Sequence, residues 1–181
     1  MRKLKNEELN RKSVEEFKNS VKIPVIIILD NVRSMNNVGS IFRTSDAFLV
    51  EAIYLCGITG QPPNKEIHKT ALGATESVGW KYFINAVDAI SELKKNNYKI
   101  IAIEQAENSV FLNNFKADEN KKYAFIFGNE INGVSDEVME TVDECIEIPQ
   151  FGTKHSFNIV VSVGIVLWEF CKIATNTRIK I

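Results

Sequence analysis

The stretch Ala124-Phe-Ile-Phe-Gly-Asn-Glu-Ile-Asn-Gly-Val-Ser135 joins an apolar strand to a polar loop that contains glycine. The stretch Ile148-Pro-Gln-Phe-Gly-Thr-Lys-His-Ser-Phe-Asn158 repeats this arrangement, because a short strand ends at Ile148 and a second polar loop follows. In an open α/β sheet, ligands bind in the crevice at the carboxyl ends of the strands. We therefore interpret the two loops as walls of one site and read the rest of the chain outward from them.

Outside these loops, β-branched runs alternate with amphipathic segments. The apolar run over residues 22–29 is typical of a strand that is covered on both faces, as in a parallel sheet. The predicted strands are residues 22–29, 52–56, 80–84, 99–103, 123–127 and 145–148. The predicted helices are residues 6–18, 38–48, 65–71, 87–95, 135–140 and 157–171. The pattern predicts an α/β fold with a mainly parallel sheet and helices on both faces.

Several local features are predicted from side-chain chemistry. Ser13 and Glu16 fit a capping box in the first helix, and Asn37 is expected to cap the second. Residues 104–120 are polar, and little regular structure is expected there. The last helix is apolar on most sides, so it is expected to be buried. Residues 1–20 are expected to form a short helical extension, and residues 21–181 the main domain.

The composition favours a globular protein. The chain has 181 residues, of which 45% are hydrophobic and 25% charged, and its net charge is −1. These values predict a single domain with a real core and argue against disorder. Basic residues gather at both ends, including Arg2 and Lys3 near the start and Arg178 and Lys180 near the finish. Such ends can contact a polyanion, but charge alone favours a solvated helix face and a frayed tail.

The three cysteines, Cys56, Cys145 and Cys171, have neither metal-ligand spacing nor an even number. They suit buried positions in a reducing compartment. The charged amino end shows no signal peptide, and the apolar run 159–168 is shorter than the roughly 20 residues that span a bilayer. The expectation is a cytoplasmic protein with no membrane span and no metal site.

Spacing alone indicates a crevice surrounded by polar side chains, namely Asn37, Arg43, Glu130, Ser156 and Asn158. Each of them taken singly is more often an ordinary cap or surface residue. No nucleotide-binding glycine fingerprint is present. His155 adjoins Ser156, but no Gly-x-Ser-x-Gly elbow surrounds them, which argues against a serine hydrolase.

Three stretches together resemble the motifs of the SpoU/TrmH family of RNA ribose 2′-O-methyltransferases, within the SPOUT superfamily. The segment from Asn31 to Ala47, with Asn37 and Arg43, is similar to the family's Asn-x5-Arg motif. Phe127-Gly-Asn-Glu130 is similar to its Gly-Asn/Ala-Glu motif, and Ile148-Pro-x-x-Gly-x-x-x-Ser-Phe-Asn158 to its third motif. The three occur in the family's order, and the resemblance covers roughly residues 23–171.

The resemblance implies more than the spacing does. It implies a deep trefoil knot in the carboxyl-terminal part of the chain, with S-adenosylmethionine held there mainly by backbone groups. The cofactor contacts that it implies are Gly128, Ile148 and Phe157, with Glu104 at the end of the fourth strand. It also implies a homodimer whose sites take residues from both chains, and in which the last helix supplies part of the interface.

The implied reaction transfers the sulfonium methyl to a ribose 2′-hydroxyl of RNA, either tRNA or ribosomal RNA. The resemblance implies Arg43 as the base. Because a guanidinium stays protonated in proteins, an equally good role for Arg43 is to hold a phosphate and stabilise the alkoxide. Asn37 would position Arg43 or the ribose, and Glu130 would orient the site or bind a base edge. Ser156 and Asn158 would bind the ribose or the loop backbone.

Two other functions remain open at the level of the sequence. One is a non-catalytic member of the same fold that binds RNA and the cofactor without methylating. The other is a plain nucleotide-binding α/β protein. Methyl transfer to RNA separates the first from an enzyme, and selective binding of S-adenosylmethionine excludes the second.

Overall fold

A single parallel sheet forms the centre of the protein. The structure, a computed structural model, describes residues 1–175, so Arg178 and Lys180 of the basic carboxyl end lie outside the described range. Within that range the strands are β1 (Ile23–Asp30), β2 (Val50–Cys56), β3 (Gly79–Phe83), β4 (Tyr98–Ile103), β5 (Val110–Phe111), β6 (Lys122–Phe127) and β7 (Glu144–Glu147). They lie in the order β3-β2-β1-β6-β4-β7-β5, and every neighbouring pair is parallel.

Helices connect the strands. They are α1 (Val14–Asn19), α2 (Met35–Ala47), α3 (Lys65–Ala71), α4 (Ala74–Ser77), α5 (Ala86–Lys95), α6 (Asp136–Met139) and α7 (Ile159–Thr175). Short 3-10 turns occur at Asn6–Leu9 and Leu112–Asn114. None of the helices within residues 1–175 has the length and apolar content needed to cross a membrane.

The sheet is covered on both faces, as the apolar runs predict. Along β1, Val25, Ile27 and Leu29 pack into the cluster that includes residues of α2, α3 and α7. The alternate residues Ile26 and Ile28 pack on the other side, with residues of α5 and α6. Successive side chains of a strand point to opposite faces, so a strand with two buried faces must be apolar throughout. The prediction of an α/β fold with a parallel sheet and helices on both faces is confirmed.

The order of the strands places a crevice beside β6. From β1, the strands β2 and β3 lie successively outward on one side, whereas β4 and β7 lie on the other side of β1. β6 lies between β1 and β4, and it is hydrogen-bonded to both. A reversal of strand order opens a crevice at the carboxyl edge of the sheet, where ligands bind. The loops after β1, β4, β6 and β7 all begin at that edge.

The first two predicted helices differ from the observed ones. Asn10 has a left-handed backbone, with φ of 47°, which separates the first turn from α1, although the Ser13–Glu16 capping box is confirmed. Ser34, not Asn37, caps α2, because the Asn37 backbone N–H donates to the Ser34 hydroxyl at 3.2 Å. The prediction that Asn37 is a cap is therefore wrong, and its side chain is available for another role.

The last helix is not buried on all sides. In the described part of α7, Val163, Val166 and Leu167 are buried, whereas Val161 is 47% and Trp168 62% exposed. The expectation of burial on most sides is wrong for a single chain, because α7 packs with only one face on the sheet. Residues 104–120 also contain a little more structure than predicted, namely β5 and the 3-10 turn that follows it.

The cysteines are free thiols. Cys56 is buried, and its burial, reinforced by the nearby Asp30 carboxylate, raises its pKa to about 12. Cys145 and Cys171 are only half-buried, yet their partial desolvation also raises the pKa of both thiols. All three are therefore protonated at neutral pH, and the predicted burial is confirmed in full only for Cys56.

Gly39 allows α2 and α3 to pack closely, which leads to a first prediction. A Cβ at residue 39 would lie 2.2 Å from both the Ile67 carbonyl oxygen and the Thr70 hydroxyl oxygen. Gly39→Ala must push the helices apart, and we expect the free energy of unfolding in urea to fall by about 1–3 kcal/mol. Gly79→Ala is the control, since its nearest neighbour would be an ordinary contact at 3.7 Å. Equal stability of the two variants would contradict the close packing.

Candidate active site

A cleft of about 590 Å³ opens at the carboxyl ends of β4, β6 and β7. Its wall is formed by the loops that follow these three strands and by the start of α7. The sequence-predicted residues that line it are Glu104, Gly128, Glu130, Ile148, Ser156, Phe157 and Asn158. The sequence thus correctly places the two glycine-containing loops around one cleft.

The loop after β6 is closed on itself by backbone hydrogen bonds. Asn129 and Gly133 exchange two N–H to carbonyl bonds, both of 3.0 Å, and the Asn129 side-chain oxygen accepts from two further backbone N–H groups. A Cβ at Gly128 would lie 1.8 Å from the Gly133 carbonyl carbon. Gly133 has φ of 68°, a conformation that favours glycine. Both glycines are needed for this tight wall.

Glu104 fixes the same loop from the end of β4. Its carboxylate accepts from the backbone N–H of Val134 at 3.0 Å and from that of Gln105 at 2.8 Å. A Cβ at Gly133 would lie 2.1 Å from a carboxylate oxygen of Glu104. The carboxylate therefore packs against the loop backbone while the residue lines the cleft.

Two carboxylates cross-link the loop after β1 and the loop after β6. Asp30, at the end of β1, accepts from the backbone N–H of Ser135 at 3.0 Å and from its hydroxyl at 2.8 Å. Glu130 accepts from the backbone N–H of Arg33 at 3.3 Å and from the side-chain amide of Asn37 at 2.9 Å. We call Asp30 and Glu130 the crossed carboxylates, because each belongs to one loop and binds the other.

The network continues to the third loop. The side-chain amide of Asn158 donates to the side-chain oxygen of Asn37 at 3.4 Å. The Asn158 side-chain oxygen accepts from the Val160 backbone N–H at 2.9 Å and so caps the start of α7. Asn37, Glu130 and Asn158, which are up to 121 positions apart in sequence, thus form one hydrogen-bonded row at the edge of the cleft.

The Glu130 carboxyl is held in its ionised form. Partial burial acts to raise its pKa, but hydrogen bonds from its own backbone N–H, from Asn37 and from the backbone of Arg33 outweigh that effect. Together they lower the pKa below its ordinary value. Glu130 therefore accepts hydrogen bonds as a carboxylate at neutral pH.

Arg43 and Ser156 are differently placed. Ser156 is exposed in the loop after β7 and lines the cleft. Arg43 is exposed on α2, six residues after Asn37, and does not line the cleft of its own chain. Within residues 1–175 its guanidinium has no hydrogen bond or ion pair.

Sequence reasoning missed two residues that hold the site together. Asp30 is only 2% exposed, and the signal that marks it is a carboxylate that ends an otherwise apolar strand. Gln105 donates its side-chain amide to the His155 carbonyl at 2.6 Å, which ties the loop after β7 to the end of β4. No sequence pattern marks that contact. In the described part of the chain, no group of three or more His, Cys, Asp or Glu side chains is arranged to hold a metal ion.

The protein has an open parallel α/β sheet with a cleft at the point where the strand order reverses. Proteins of this class bind ligands in that cleft. Residues 24–168 match the family model described as the SpoU rRNA Methylase family. Because this match covers most of the chain, the protein belongs to that family.

Relatives agree with this assignment. The chain is 33% identical over 150 residues to a tRNA (guanosine(18)-2′-O)-methyltransferase of Aquifex aeolicus, covering 80% of this chain and 67% of that protein. It is 32% identical over 146 residues to a 23S rRNA (guanosine-2′-O-)-methyltransferase, RlmB, of Neisseria meningitidis, covering 81% of this chain and 57% of the relative. The chain thus spans between about half and two thirds of these relatives' length.

A solved structure confirms the fold. The crystal structure of an AdoMet-bound rRNA methyltransferase from Sinorhizobium meliloti superposes with a TM-score of 0.77 at 26% identity. The superposition covers 94% of this chain and 62% of that one. Nearly the whole described fold therefore has a counterpart in a protein that binds S-adenosylmethionine.

The crossed carboxylates lead to a second prediction. Glu130→Gln replaces a charged acceptor by a neutral one, so the Arg33 backbone N–H should exchange with solvent roughly 2- to 10-fold faster in hydrogen-exchange measurements. In the unchanged protein the lowered pKa of Glu130 means that its contribution to stability is present above pH 4.5 and is lost as the pH falls through the folded-state pKa. Unchanged exchange at Arg33 in Glu130→Gln would show that the charge of this carboxylate is not needed.

Proposed function

We propose that the protein transfers the methyl group of S-adenosylmethionine to a ribose 2′-hydroxyl of tRNA or ribosomal RNA. The observation that carries this proposal is the row Asn37, Glu130 and Asn158 at the edge of a glycine-walled cleft, in a member of the SpoU family. One of the two named relatives acts on a tRNA and the other on an rRNA, so the proposal includes either RNA as the substrate. We also propose that the enzyme acts in the cytoplasm, where both kinds of RNA occur.

The cleft has the size and lining that the cofactor requires. Its volume of about 590 Å³ lies within the range of small-molecule sites. Ile148 and Phe157 offer apolar surface, while Gly128 brings bare backbone to the wall. We propose these three residues and Glu104 as the cofactor contacts. When bound, S-adenosylmethionine supplies a methyl group made electrophilic by the positive sulfonium.

The polar row is proposed to receive the ribose. The amides of Asn37 and Asn158 offer donors and acceptors for the sugar hydroxyls, and Glu130 fixes the orientation of Asn37. Ser156 adds a hydroxyl from the loop after β7. Holding the oxygen in line with the methyl carbon contributes up to about 7–11 kcal/mol in ideal cases.

Arg43 is proposed to supply the positive charge. During methyl transfer the 2′-hydroxyl would lose its proton to solvent water, and its oxygen would carry developing negative charge. A guanidinium remains protonated, so Arg43 stabilises that oxygen and binds the neighbouring phosphate bidentately. Because Arg43 does not line the cleft of its own chain, we propose that it serves the cleft of a partner subunit.

A homodimer is proposed for a second reason. The exposed apolar side chains of Val161 and Trp168 lie on the face of α7 that a single chain leaves uncovered. A second copy of the chain would remove this surface from water. By the family resemblance we also propose a trefoil knot within residues 21–181, with residues 1–20 as a separate short extension.

The decisive experiment measures transfer of labelled methyl from S-adenosylmethionine to bulk tRNA and ribosomal RNA. The RNA is taken from cells in which the gene has been deleted, so that the target is unmethylated. Label in RNA that resists alkaline cleavage of the neighbouring bond identifies 2′-O-methylation. Unlabelled RNA together with cofactor binding would identify a non-catalytic binder. Failure to bind S-adenosylmethionine at all would refute the proposed cofactor.

Arg43→Ala provides a third prediction. Methyl transfer should be lost, because the alkoxide and phosphate lose their counter-charge, whereas affinity for S-adenosylmethionine should remain within about twofold. Arg43→Lys is the matched control, which keeps the charge without the bidentate geometry and should retain partial activity. Loss of cofactor affinity in Arg43→Ala would indicate a structural role instead.

Asn158→Ala provides a fourth prediction, and it also tests the partner. The variant should transfer methyl slowly while unfolding cooperatively as the unchanged protein does. Unfolding and refolding it together with Arg43→Ala forms mixed dimers, in which one site has both residues intact if Arg43 serves the partner's cleft. Activity should then reappear in the mixture. A mixture as inactive as its components would show that Arg43 and Asn158 act within one chain.

A further inference from the structure

Three apolar side chains stand exposed at the carboxyl ends of β2 and β3. Ile58 is 60%, Tyr82 40% and Ile84 80% exposed. They are neighbours, because the Gly57 backbone N–H donates to the Phe83 carbonyl at 3.1 Å. We call these three residues the apolar platform.

The tyrosine ring in the platform is held in place. The Tyr82 hydroxyl donates to the Gly57 carbonyl at 3.1 Å, which fixes the ring against the turn that carries Ile58. A fixed ring loses little conformational freedom when something packs on it. Unpaired RNA bases stack on such aromatic surfaces, and stacking does not depend strongly on sequence.

The platform is continuous with the candidate active site. The Ile58 backbone N–H donates to the Asn31 side-chain oxygen at 3.2 Å, and Asn31 donates to Asp30, one of the crossed carboxylates. Two positions further along the same loop, Arg33 donates its backbone N–H to Glu130. β3 is three strands from β6, about 14 Å at the usual spacing of strands.

The size and surroundings of the platform favour a base over a protein. A stable protein interface uses about 20–30 residues on each side, whereas this platform has three. The exposed Arg33 belongs to the loop that contacts the platform through Asn31 and the cleft residue Glu130 through its own backbone, and it makes no ion pair within residues 1–175. A cation between two binding surfaces suits the phosphate that links two nucleotides.

We infer that the apolar platform holds an unpaired base of the RNA substrate, close in sequence to the nucleotide that enters the cleft. This inference rests on the proposed function, since the platform selects a single-stranded or looped region around the target. Arg33 contacts the intervening phosphate. The platform therefore contributes to the choice of RNA and not to the chemistry.

The test compares the double variant Ile58→Ser/Ile84→Ser with the unchanged protein. Both side chains are exposed, so the fold should tolerate the change. The KM for bulk RNA should rise by about 5-fold or more, because the apolar surface beside the Tyr82 ring is lost, with kcat and cofactor affinity unchanged. Leu72→Ser is the matched control, because Leu72 is 66% exposed but follows α3 and is not part of the platform.

A second comparison, of Tyr82→Phe with Tyr82→Ser, tests whether the aromatic ring itself binds the base. Tyr82→Phe keeps the ring and loses its hydroxyl, so it should bind RNA better than Tyr82→Ser. If the unchanged protein transfers no methyl, the proposed function fails, and the same variants are compared by direct RNA binding. If transfer occurs and KM for the double variant stays within twofold, the platform inference fails while the proposed function stands. A change in oligomeric state would instead assign the platform to a protein interface.

Discussion

The site depends on two carboxylates, Asp30 and Glu130, which link the end of β1 and its loop to the loop after β6 in opposite directions. Asp30 extends from β1 to the loop of β6, and Glu130 extends from the loop of β6 back to the loop of β1. Neighbouring parallel strands fix only where such loops begin, and loops themselves are the more mobile part of a fold. Two charge-assisted links in opposite directions prevent either loop from moving without the other, so Asn37 is held at the edge of the cleft.

This constraint explains why the glycines are where they are. Gly128 and Gly133 let the loop of β6 fold tightly on itself, and this brings Glu130 within reach of Arg33 and Asn37. The Glu104 carboxylate then accepts a hydrogen bond from the Val134 backbone N–H of the same loop. The same glycine-containing turn therefore shapes the wall of the cleft and positions the polar row.

The fold follows from local patterns, whereas the contacts of the site do not. The run Ile26 to Leu29 is typical of a doubly covered strand, and the approximate end of each such strand can be predicted from the sequence. Asn37, however, precedes an apolar helix as a cap would, and nothing local shows that Ser34 takes that role instead. Its true partners, Glu130 and Asn158, are 93 and 121 positions away, so only the fold or a family motif brings them together.

The proposed homodimer accounts for two features of the single chain together. Trp168 exposes apolar surface on a helix that the sequence marks for burial, and Arg43 does not line the cleft of its own chain, although the proposed reaction uses its positive charge. Either feature alone is compatible with an ordinary surface. Both lie on helices, α7 and α2, that pack against each other on the same face of the sheet. In the proposed homodimer, a second copy on this face would cover Trp168 and bring Arg43 to the partner's cleft, and the two-fold symmetry of an isologous pair would do so for both subunits.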